Sequence, residues 1–156
     1  MNNLPRYKFS REYEYFDQNK ETYRKTSFSI IKHTTYSKTE DAIDVADRLE
    51  RLKEDSFKYD GKIKVPYFEF KVEDNVLIYQ SEYIKGVAPT NNDMKHVYEK
   101  LVYRPGAYTF LDYTPQNFIV DRWGIHVVDL DSYGSHDFEE RMKRWNETIK
   151  KYNIHI

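Results

Sequence analysis

The chain has 156 residues, enough for one domain with a hydrophobic core of its own. It contains no cysteine, which excludes disulfides, thiol catalysis and cysteine-based metal sites, and its five histidines show no metal-ligand spacing. The net charge of -1 gives no general argument for nucleic acid or an anionic membrane as a partner, and no apolar run approaches the roughly 20 residues of a membrane span. Because the first residues also lack the pattern of a signal peptide, we expect a cytoplasmic protein.

The first third of the chain predicts two strands followed by a helix. Residues 7–17 and 22–35 show strand patterning on either side of a turn at residues 17–20. Residues 40–54 predict a helix that Thr39 can cap, with acidic residues in its first turn. The apolar positions of this helix recur at helical spacing and form one stripe: Ala42, Val45, Ala46, Leu49 and Leu52.

The middle of the chain predicts a hairpin and a second helix. Residues 65–72 and 76–83 read as strands around the turn Glu73-Asp74-Asn75. Residues 92–102 predict a helix that is broken by Pro105-Gly106. Five side chains of this helix are expected to point inward: Met94, Val97, Tyr98, Leu101 and Val102.

The last third predicts another hairpin and a final helix. Two short apolar runs, residues 118–120 and 125–128, flank a four-residue turn that ends in glycine. The helix spans about residues 136–152, and its apolar stripe consists of Phe138, Met142, Trp145, Ile149 and Tyr152. The whole order predicts a single α+β domain over residues 1–156, with a sheet-rich half, residues 1–84, and a short helical half, residues 85–156.

Three polar side chains are predicted to meet at one end of the second hairpin. Asp112 and Asn117 lie in the turn that leads into it, and Asp129 follows its second strand. Since a hairpin returns the chain to its start, Asp129 should emerge beside Asn117. Two carboxylates and an amide oxygen suit a hard cation such as Mg²⁺, and one of the carboxylates can orient a hydroxyl. The alternative explanation is a surface turn capped by Asp and Asn side chains, which are common in turns.

The segment from Asp112 to Asp131 resembles the catalytic and metal-binding loops of the protein-kinase-like superfamily. In that family an Asp, four residues and an Asn precede a hairpin that ends in a second Asp. Asp112-Tyr-Thr-Pro-Gln-Asn117 and Val128-Asp129-Leu130-Asp131 are most similar to the atypical aminoglycoside, lipopolysaccharide-core and RIO kinases. The resemblance implies a minimal kinase-like fold that uses ATP and Mg²⁺, with Asp112 as the catalytic residue and Asn117 and Asp129 as metal ligands.

The same resemblance implies a nucleotide site in the first half of the chain. Ser-Ile-Ile-Lys32 resembles the strand whose lysine contacts the phosphates and pairs with a glutamate of the next helix, here Glu50, with Glu54 as a rival. Glu82-Tyr-Ile84-Lys-Gly86 resembles the segment that passes the adenine, so backbone groups near Glu82 and Ile84 are expected to bind the base edge.

Several features depart from the family pattern. No glycine-rich loop precedes Lys32, Phe110-Leu111 replaces the usual dipeptide before the catalytic Asp, and Asp131 stands where a Gly is usual. The second half is too short for an activation segment and peptide-binding helices, which argues against canonical protein phosphorylation. The sequence does not identify the acceptor, which is a protein or a small molecule. Two alternatives stay open: a pseudokinase that serves as a nucleotide- or partner-binding regulatory module, and a structural protein with no nucleotide site.

Overall fold

The computed structural model describes residues 13–15, 20–25, 28–59 and 61–155. In chain order, the strands of these ranges are β1 (Tyr13–Tyr15), β2 (Lys20–Lys25), β3 (Ser29–Thr35), β4 (Ile63–Lys64), β5 (Phe68–Glu73), β6 (Val76–Glu82), β7 (Phe118–Asp121) and β8 (Gly124–Val127). The α-helices are α1 (Thr39–Asp55), α2 (Asn91–Val97) and α3 (Phe138–Tyr152). The expected α+β class is confirmed. In the part of the chain that the structure describes, none of the helices combines the length and apolar character needed to cross a membrane.

The chain divides into two units. The first, which we call the sheet unit, holds Pro66–Ile84 and the described residues of Lys8–Ser56. The second, the hairpin unit, holds Phe57–Val65 and the described residues from Lys85 onward. Residues 57–65 therefore join the hairpin unit although the β5–β6 hairpin of the sheet unit follows them in the chain.

The sheet unit contains an antiparallel sheet of five strands in the order β1-β2-β3-β6-β5. β3 and β6 run through its middle, and Lys32 lies opposite Tyr79. The predicted β5–β6 hairpin is confirmed, and it turns at Asp74, whose φ is 53°. Alternate side chains of β3 and β6 are buried on one face: Ile30, Lys32, Thr34, Leu77, Tyr79 and Ser81.

Helix α1 packs against this buried face of the sheet. Its buried residues are Ala42, Val45, Leu49 and Leu52, which confirms the predicted stripe except for the half-buried Ala46. The ammonium group of Lys53 lies 5.9 Å from the ring centroids of both Phe68 and Phe70 on β5, and it donates to Glu69 at 2.7 Å. The predicted cap at Thr39 is wrong, because Thr39 is the first residue of the helix itself. Lys38 precedes the helix in an extended conformation, and its side chain makes no capping hydrogen bond.

Two predicted strands are wrong in their extent. Residues 22–35 hold two strands, because β2 ends at Lys25 and pairs antiparallel with β3. Residues 65–72 do not form one strand either: β5 begins at Phe68, since Pro66 has no N–H with which to extend the ladder. Residues 7–12 and 16–19 of the predicted first hairpin lie outside the described residues.

The hairpin unit contains a sheet of three short strands in the order β4-β8-β7. The predicted hairpin is confirmed: β7 and β8 are antiparallel, with Phe118 opposite Val127. β4 runs parallel to β8 along its other side. Gly124 has a φ of 145°, and a Cβ there would lie 2.5 Å from the Lys62 carbonyl oxygen, so the turn requires glycine for its conformation and for the approach of β4.

Two helical segments complete the hairpin unit. α2 starts with reciprocal side-chain caps between Thr90 and Asp93, and its continuation over Tyr98–Tyr103 is π-helical. α3 is capped by Asp137 and buries Trp145 and Thr148. The predicted α3 stripe is wrong at Phe138, the first helical residue, which is 47% exposed. The Arg141 guanidinium lies 5.5 Å from the centroid of its ring. The predicted inward positions of α2 and its continuation are buried at Met94, Val97, Leu101 and Val102.

Gly86 and Val87 lie along the edge of β7 that faces away from β8. Val87 and Val120 exchange two backbone hydrogen bonds of 2.9 Å. A Cβ at Gly86 would lie 2.3 Å from the Val120 carbonyl oxygen and 2.8 Å from the Ile119 side chain. The contact is with backbone, which cannot move aside cheaply, so any side chain at this position forces the backbone of β7 to shift.

Gly86→Ala should lower the free energy of unfolding by about 2 kcal/mol, the usual cost of overpacking that shifts backbone. This corresponds to a melting temperature lower by about 5 °C. Gly106→Ala is the matched control, because a Cβ there meets nothing within 4 Å. Thermal unfolding followed by circular dichroism measures both variants. Equal melting temperatures would contradict the close approach of residue 86 to β7.

Candidate functional site

Residues 109 to 134 form a loop that is closed at its base and contains the β7–β8 hairpin; we call it the 109–134 loop. Thr109 and Gly134 exchange backbone hydrogen bonds of 2.9 and 3.0 Å. The buried Thr109 hydroxyl also donates to the Leu101 carbonyl at 3.2 Å, which attaches the base of the loop to the π-helical segment. The three polar residues predicted at this hairpin all lie inside the closed loop.

Asp112 starts the turn that leads to β7, and it is exposed. Its carboxylate accepts a hydrogen bond from the Thr114 N–H at 3.2 Å. The next residue, Tyr113, is buried and packs edge-on against Trp145, with 5.9 Å between ring centroids. Burial raises the pKa of the Tyr113 phenol, so this side chain is a neutral anchor beside an exposed carboxylate.

Asn117 connects the two ends of the hairpin. It closes a short 3₁₀ turn, Pro115–Asn117, and is only 6% exposed. Its side-chain Nδ2 donates to the Asp112 carbonyl at 3.4 Å, and its own backbone carbonyl accepts from the Val128 N–H at 2.9 Å. One residue thus binds the backbone of Asp112 and the backbone that immediately precedes Asp129.

Asp129 follows β8 and is half-buried. Its Oδ1 accepts from the Asp131 N–H at 3.2 Å, so the carboxylate is fixed within its own turn. Leu130, between the two acids, is buried, and so is Val127 before them. Buried apolar neighbours therefore hold Asp129 at the end of β8, beside the start of β7.

The donor set at this end of the hairpin consists of oxygen atoms. Because Nδ2 of Asn117 is the donating end of its amide, Oδ1 is the end left to accept or to ligate. Within the described residues no group of three or more His, Asp or Glu side chains could hold a metal by itself. Mg²⁺ does not need such a cage, since it usually keeps waters and shares the phosphates of a substrate. Asn117 and Asp129 therefore fit Mg²⁺ bound together with a nucleotide.

Lys32 is 3% exposed and lies on the face of the sheet that α1 covers. Its ammonium group is 5.8 Å from the ring centroid of Tyr79. Glu50 is exposed on α1, and within the described part of the chain neither it nor Glu54 forms an ion pair with Lys32. The hydrogen bond to Glu69 is the main cause of a raised pKa at Lys53, to which Glu50 adds a smaller Coulombic contribution. The structure does not bring Glu50 to Lys32.

Glu82 is the last residue of β6, and its backbone is already engaged in the sheet unit. Its N–H donates to the Tyr67 carbonyl at 3.0 Å, and the next N–H, of Tyr83, donates to the Phe28 carbonyl at 2.8 Å. No backbone hydrogen bond of Ile84 occurs among the residues that the structure covers. Ile84 is therefore the first residue beyond β6 whose backbone makes no hydrogen bond to another described residue.

Two interactions of the 109–134 loop were missed in the sequence. Asp121 accepts hydrogen bonds from the N–H groups of Trp123 at 2.8 Å and Gly124 at 3.2 Å, and it lies 2.9 Å from Nε2 of the buried His126. Asp121 and His126 are five residues apart on the two sides of a hairpin turn, and this spacing could have predicted their contact from the sequence. The second is Ser132, whose hydroxyl oxygen accepts from the N–H groups of Leu111 and Asp112. A serine in a turn carries no such signal.

The chain was compared with known proteins: no family model matches it, and no match is found among the curated proteins.

The Asp121 contacts predict how stability depends on pH. Burial raises the pKa of Asp121, but the hydrogen bonds from His126 and the turn N–H groups outweigh it, so the net shift is downward. A carboxylate of this kind stabilises the folded state above its unfolded pKa of about 4, and the contribution is lost as pH falls through the lower folded value.

Asp121→Asn should therefore lower the free energy of unfolding at pH 7 by about 1 kcal/mol, since it weakens charge-assisted hydrogen bonds but keeps an acceptor oxygen. The difference from the unmutated protein should shrink as pH falls below the unfolded pKa of about 4. Urea unfolding at several pH values measures it, with Asp74→Asn in the exposed β5–β6 turn as control. A difference that is constant with pH would contradict the assigned contacts.

Proposed function

We propose that the protein is an ATP- and Mg²⁺-dependent phosphotransferase of a minimal, atypical kinase type, which acts on a protein or small-molecule acceptor in the cytoplasm. The observation that carries this proposal is the pair of hydrogen bonds made by Asn117, to the Asp112 carbonyl and from the Val128 N–H. A capped surface turn needs only the bond between Asp112 and Thr114. It does not account for a buried side-chain amide that binds the Asp112 carbonyl while the backbone carbonyl of the same residue binds Val128, the residue before Asp129.

Each member of the set has a role in this reaction. The acceptor oxygen attacks the γ-phosphorus of ATP, its proton passes to Asp112, and ADP leaves. Asn117 and Asp129 hold Mg²⁺, which when bound neutralises charge on the phosphates. In the sheet unit, Lys32 is the counterpart of the lysine that contacts the phosphates in kinases. Phosphoryl transfer needs little covalent chemistry from the protein, so the rate gain comes from positioning and electrostatics.

The sheet unit supports a kinase-like fold. Lys32 lies on the third strand, α1 follows that strand directly, and α1 covers the sheet face on which Lys32 is buried. In kinases the phosphate-binding lysine is also on the third strand, and the glutamate that pairs with it is on the next helix. Among the described residues the Ile84 backbone makes no hydrogen bond, which is compatible with the predicted contact with the base edge.

A pseudokinase is the second candidate, and one observation favours it. In kinases the lysine–glutamate pair must be in place for activity. Among the residues described here, neither Glu50 nor Glu54 pairs with Lys32. A pseudokinase of this type would bind nucleotide through the 109–134 loop and regulate a partner without transferring phosphate.

Asp129→Asn should abolish the part of ATP stabilisation that requires Mg²⁺. The amide keeps an oxygen for the Asp131 N–H but loses the charge that holds the cation. In the unmutated protein, Mg²⁺ and ATP at about 100 times the dissociation constant should add about 2.7 kcal/mol to the free energy of unfolding. Thermal unfolding in ATP with Mg²⁺, compared with ATP and EDTA, measures this effect.

Asp74→Asn is the matched control, since it removes an exposed carboxylate of the β5–β6 turn. It should keep the full Mg²⁺-dependent stabilisation. Stabilisation that survives in Asp129→Asn would remove Asp129 from the metal site. Absence of any Mg²⁺-dependent stabilisation in the unmutated protein would exclude both the kinase and the nucleotide-binding pseudokinase.

Asp112→Asn should separate binding from chemistry. The amide oxygen can still accept from the Thr114 N–H, so the turn is retained while the base is lost. The affinity for Mg²⁺ and ATP should stay within about twofold, and transfer should fall by about 100-fold or more, the usual contribution of a general base. Transfer of radiolabelled γ-phosphate to the protein itself, to hydroxyl-bearing peptides and to sugars measures it.

Two outcomes decide the role of Asp112. ATP binding weakened tenfold or more in Asp112→Asn would show that Asp112 anchors the ligand and does not act on the acceptor. Mg²⁺-dependent ATP binding without transfer to any acceptor in the unmutated protein would select the pseudokinase.

A further inference from the structure

The hydroxyl oxygen of Ser132 accepts hydrogen bonds from two consecutive backbone N–H groups. The distances are 3.1 Å to the nitrogen of Leu111 and 3.2 Å to that of Asp112. A hydroxyl oxygen has two lone pairs, so these bonds use its full accepting capacity. Ser132 lies three residues after Asp129 and thereby joins the turn of the metal-binding carboxylate to the backbone of Asp112.

We infer that Ser132 is a positioning residue for Asp112: its hydroxyl sets the orientation of Asp112 relative to the Asn117 and Asp129 end of the hairpin. The inference rests on the proposed phosphotransfer. It assigns no contact between Ser132 and substrate. Its effect passes through the Asp112 backbone, and a misplacement of about 1 Å at such a site can reduce the rate on the order of 100-fold.

Ser132 is itself firmly placed. Its backbone carbonyl accepts a hydrogen bond of 2.7 Å from Nε2 of His136, which lies just before α3. A carbonyl can only accept, so this contact places the proton of His136 on Nε2. The Tyr133 N–H, which belongs to the same peptide group, donates to the Leu130 carbonyl at 3.1 Å and closes a turn over residues 130–133. The hydroxyl is therefore presented by a residue whose following peptide group is hydrogen-bonded through both its carbonyl and its N–H.

The residues before Asp112 cannot supply this connection with their side chains. The side chains of Phe110 and Leu111 are apolar and buried, so they hold the chain in the core but cannot form hydrogen bonds with the turn after Asp129. The Asp112 carboxylate is held by Thr114 within its own turn. Ser132 provides a polar link between the residue that receives the proton and the residues that hold the metal.

Ser132→Ala removes the acceptor, and Ser135→Ala is the matched control because Ser135 is exposed three residues further along the same segment. Hydrogen exchange of the Leu111 and Asp112 amides, followed by NMR, should become faster by about fivefold in Ser132→Ala, the effect of losing a hydrogen bond of about 1 kcal/mol. It should not change in Ser135→Ala. In Ser132→Ala, kcat for phosphate transfer should fall by about 100-fold, while the affinity for Mg²⁺-ATP should stay within about twofold.

Ser132→Thr keeps the hydroxyl and should restore slow exchange and most of kcat. If Ser132→Ala does not fold, Ser132→Cys, close in volume but a weak acceptor, should show both effects in smaller measure. Unchanged exchange at Asp112 overturns the inference. Faster exchange with unchanged kcat also overturns it, because the serine would then stabilise the loop without positioning the base.

Failure of the proposed function gives a different result. An unmutated protein that binds no Mg²⁺-ATP and transfers no phosphate removes the catalytic part of the inference. The exchange rates of the Leu111 and Asp112 amides would still decide whether Ser132 holds the backbone of Asp112.

Discussion

The hydrogen bond from the Val128 N–H to the Asn117 carbonyl is the constraint on which the candidate site depends. It makes the end of β8 return to the start of β7, and the Asn117 side chain extends the same connection to Asp112. Each bond contributes only about 1 kcal/mol net, but leaving a buried amide unsatisfied costs more than that. Because Asn117 is almost fully buried, an arrangement of the loop that breaks these bonds would carry that cost.

A sheet of three strands with two to four residues each is not stable without support. Here the central strand β8 has β4 on one side and β7 on the other, and Val87 pairs with the outer side of β7. Both flanking segments approach backbone closely, at Gly124 and at Gly86. The hairpin that presents the polar residues is thus supported by chain from two distant parts of the sequence.

In the 109–134 loop, each candidate functional residue is followed directly by a buried apolar or aromatic residue. Tyr113, Phe118 and Leu130 are buried next to Asp112, Asn117 and Asp129 respectively. Each candidate functional side chain is therefore fixed by a neighbour in the core. Such placement of polar groups on a loop that rigid elements anchor is the usual arrangement in binding and catalytic sites.

The sequence by itself determined the elements whose signal is local. The α1 stripe, the β5–β6 turn and the β7–β8 hairpin are each specified by side-chain period or turn residues within about 15 positions, and all three are present. The expectation that Asp129 comes close to Asn117 followed from the hairpin alone. Period and turn chemistry require no knowledge of distant residues, which is why these predictions could be made.

Tertiary structure alone decided which distant segments pair. Strand patterning does not mark a chain reversal inside residues 22–35, and nothing in Ile63–Lys64 indicates a parallel partner 62 residues away in β8. The choice of Ser132 as acceptor for the Asp112 N–H, and the exposure of Glu50 while Lys32 is buried, likewise depend on where packed elements place each backbone. Hydrogen bonds and ion pairs act over about 3 to 4 Å, and only the folded chain sets distances on that scale.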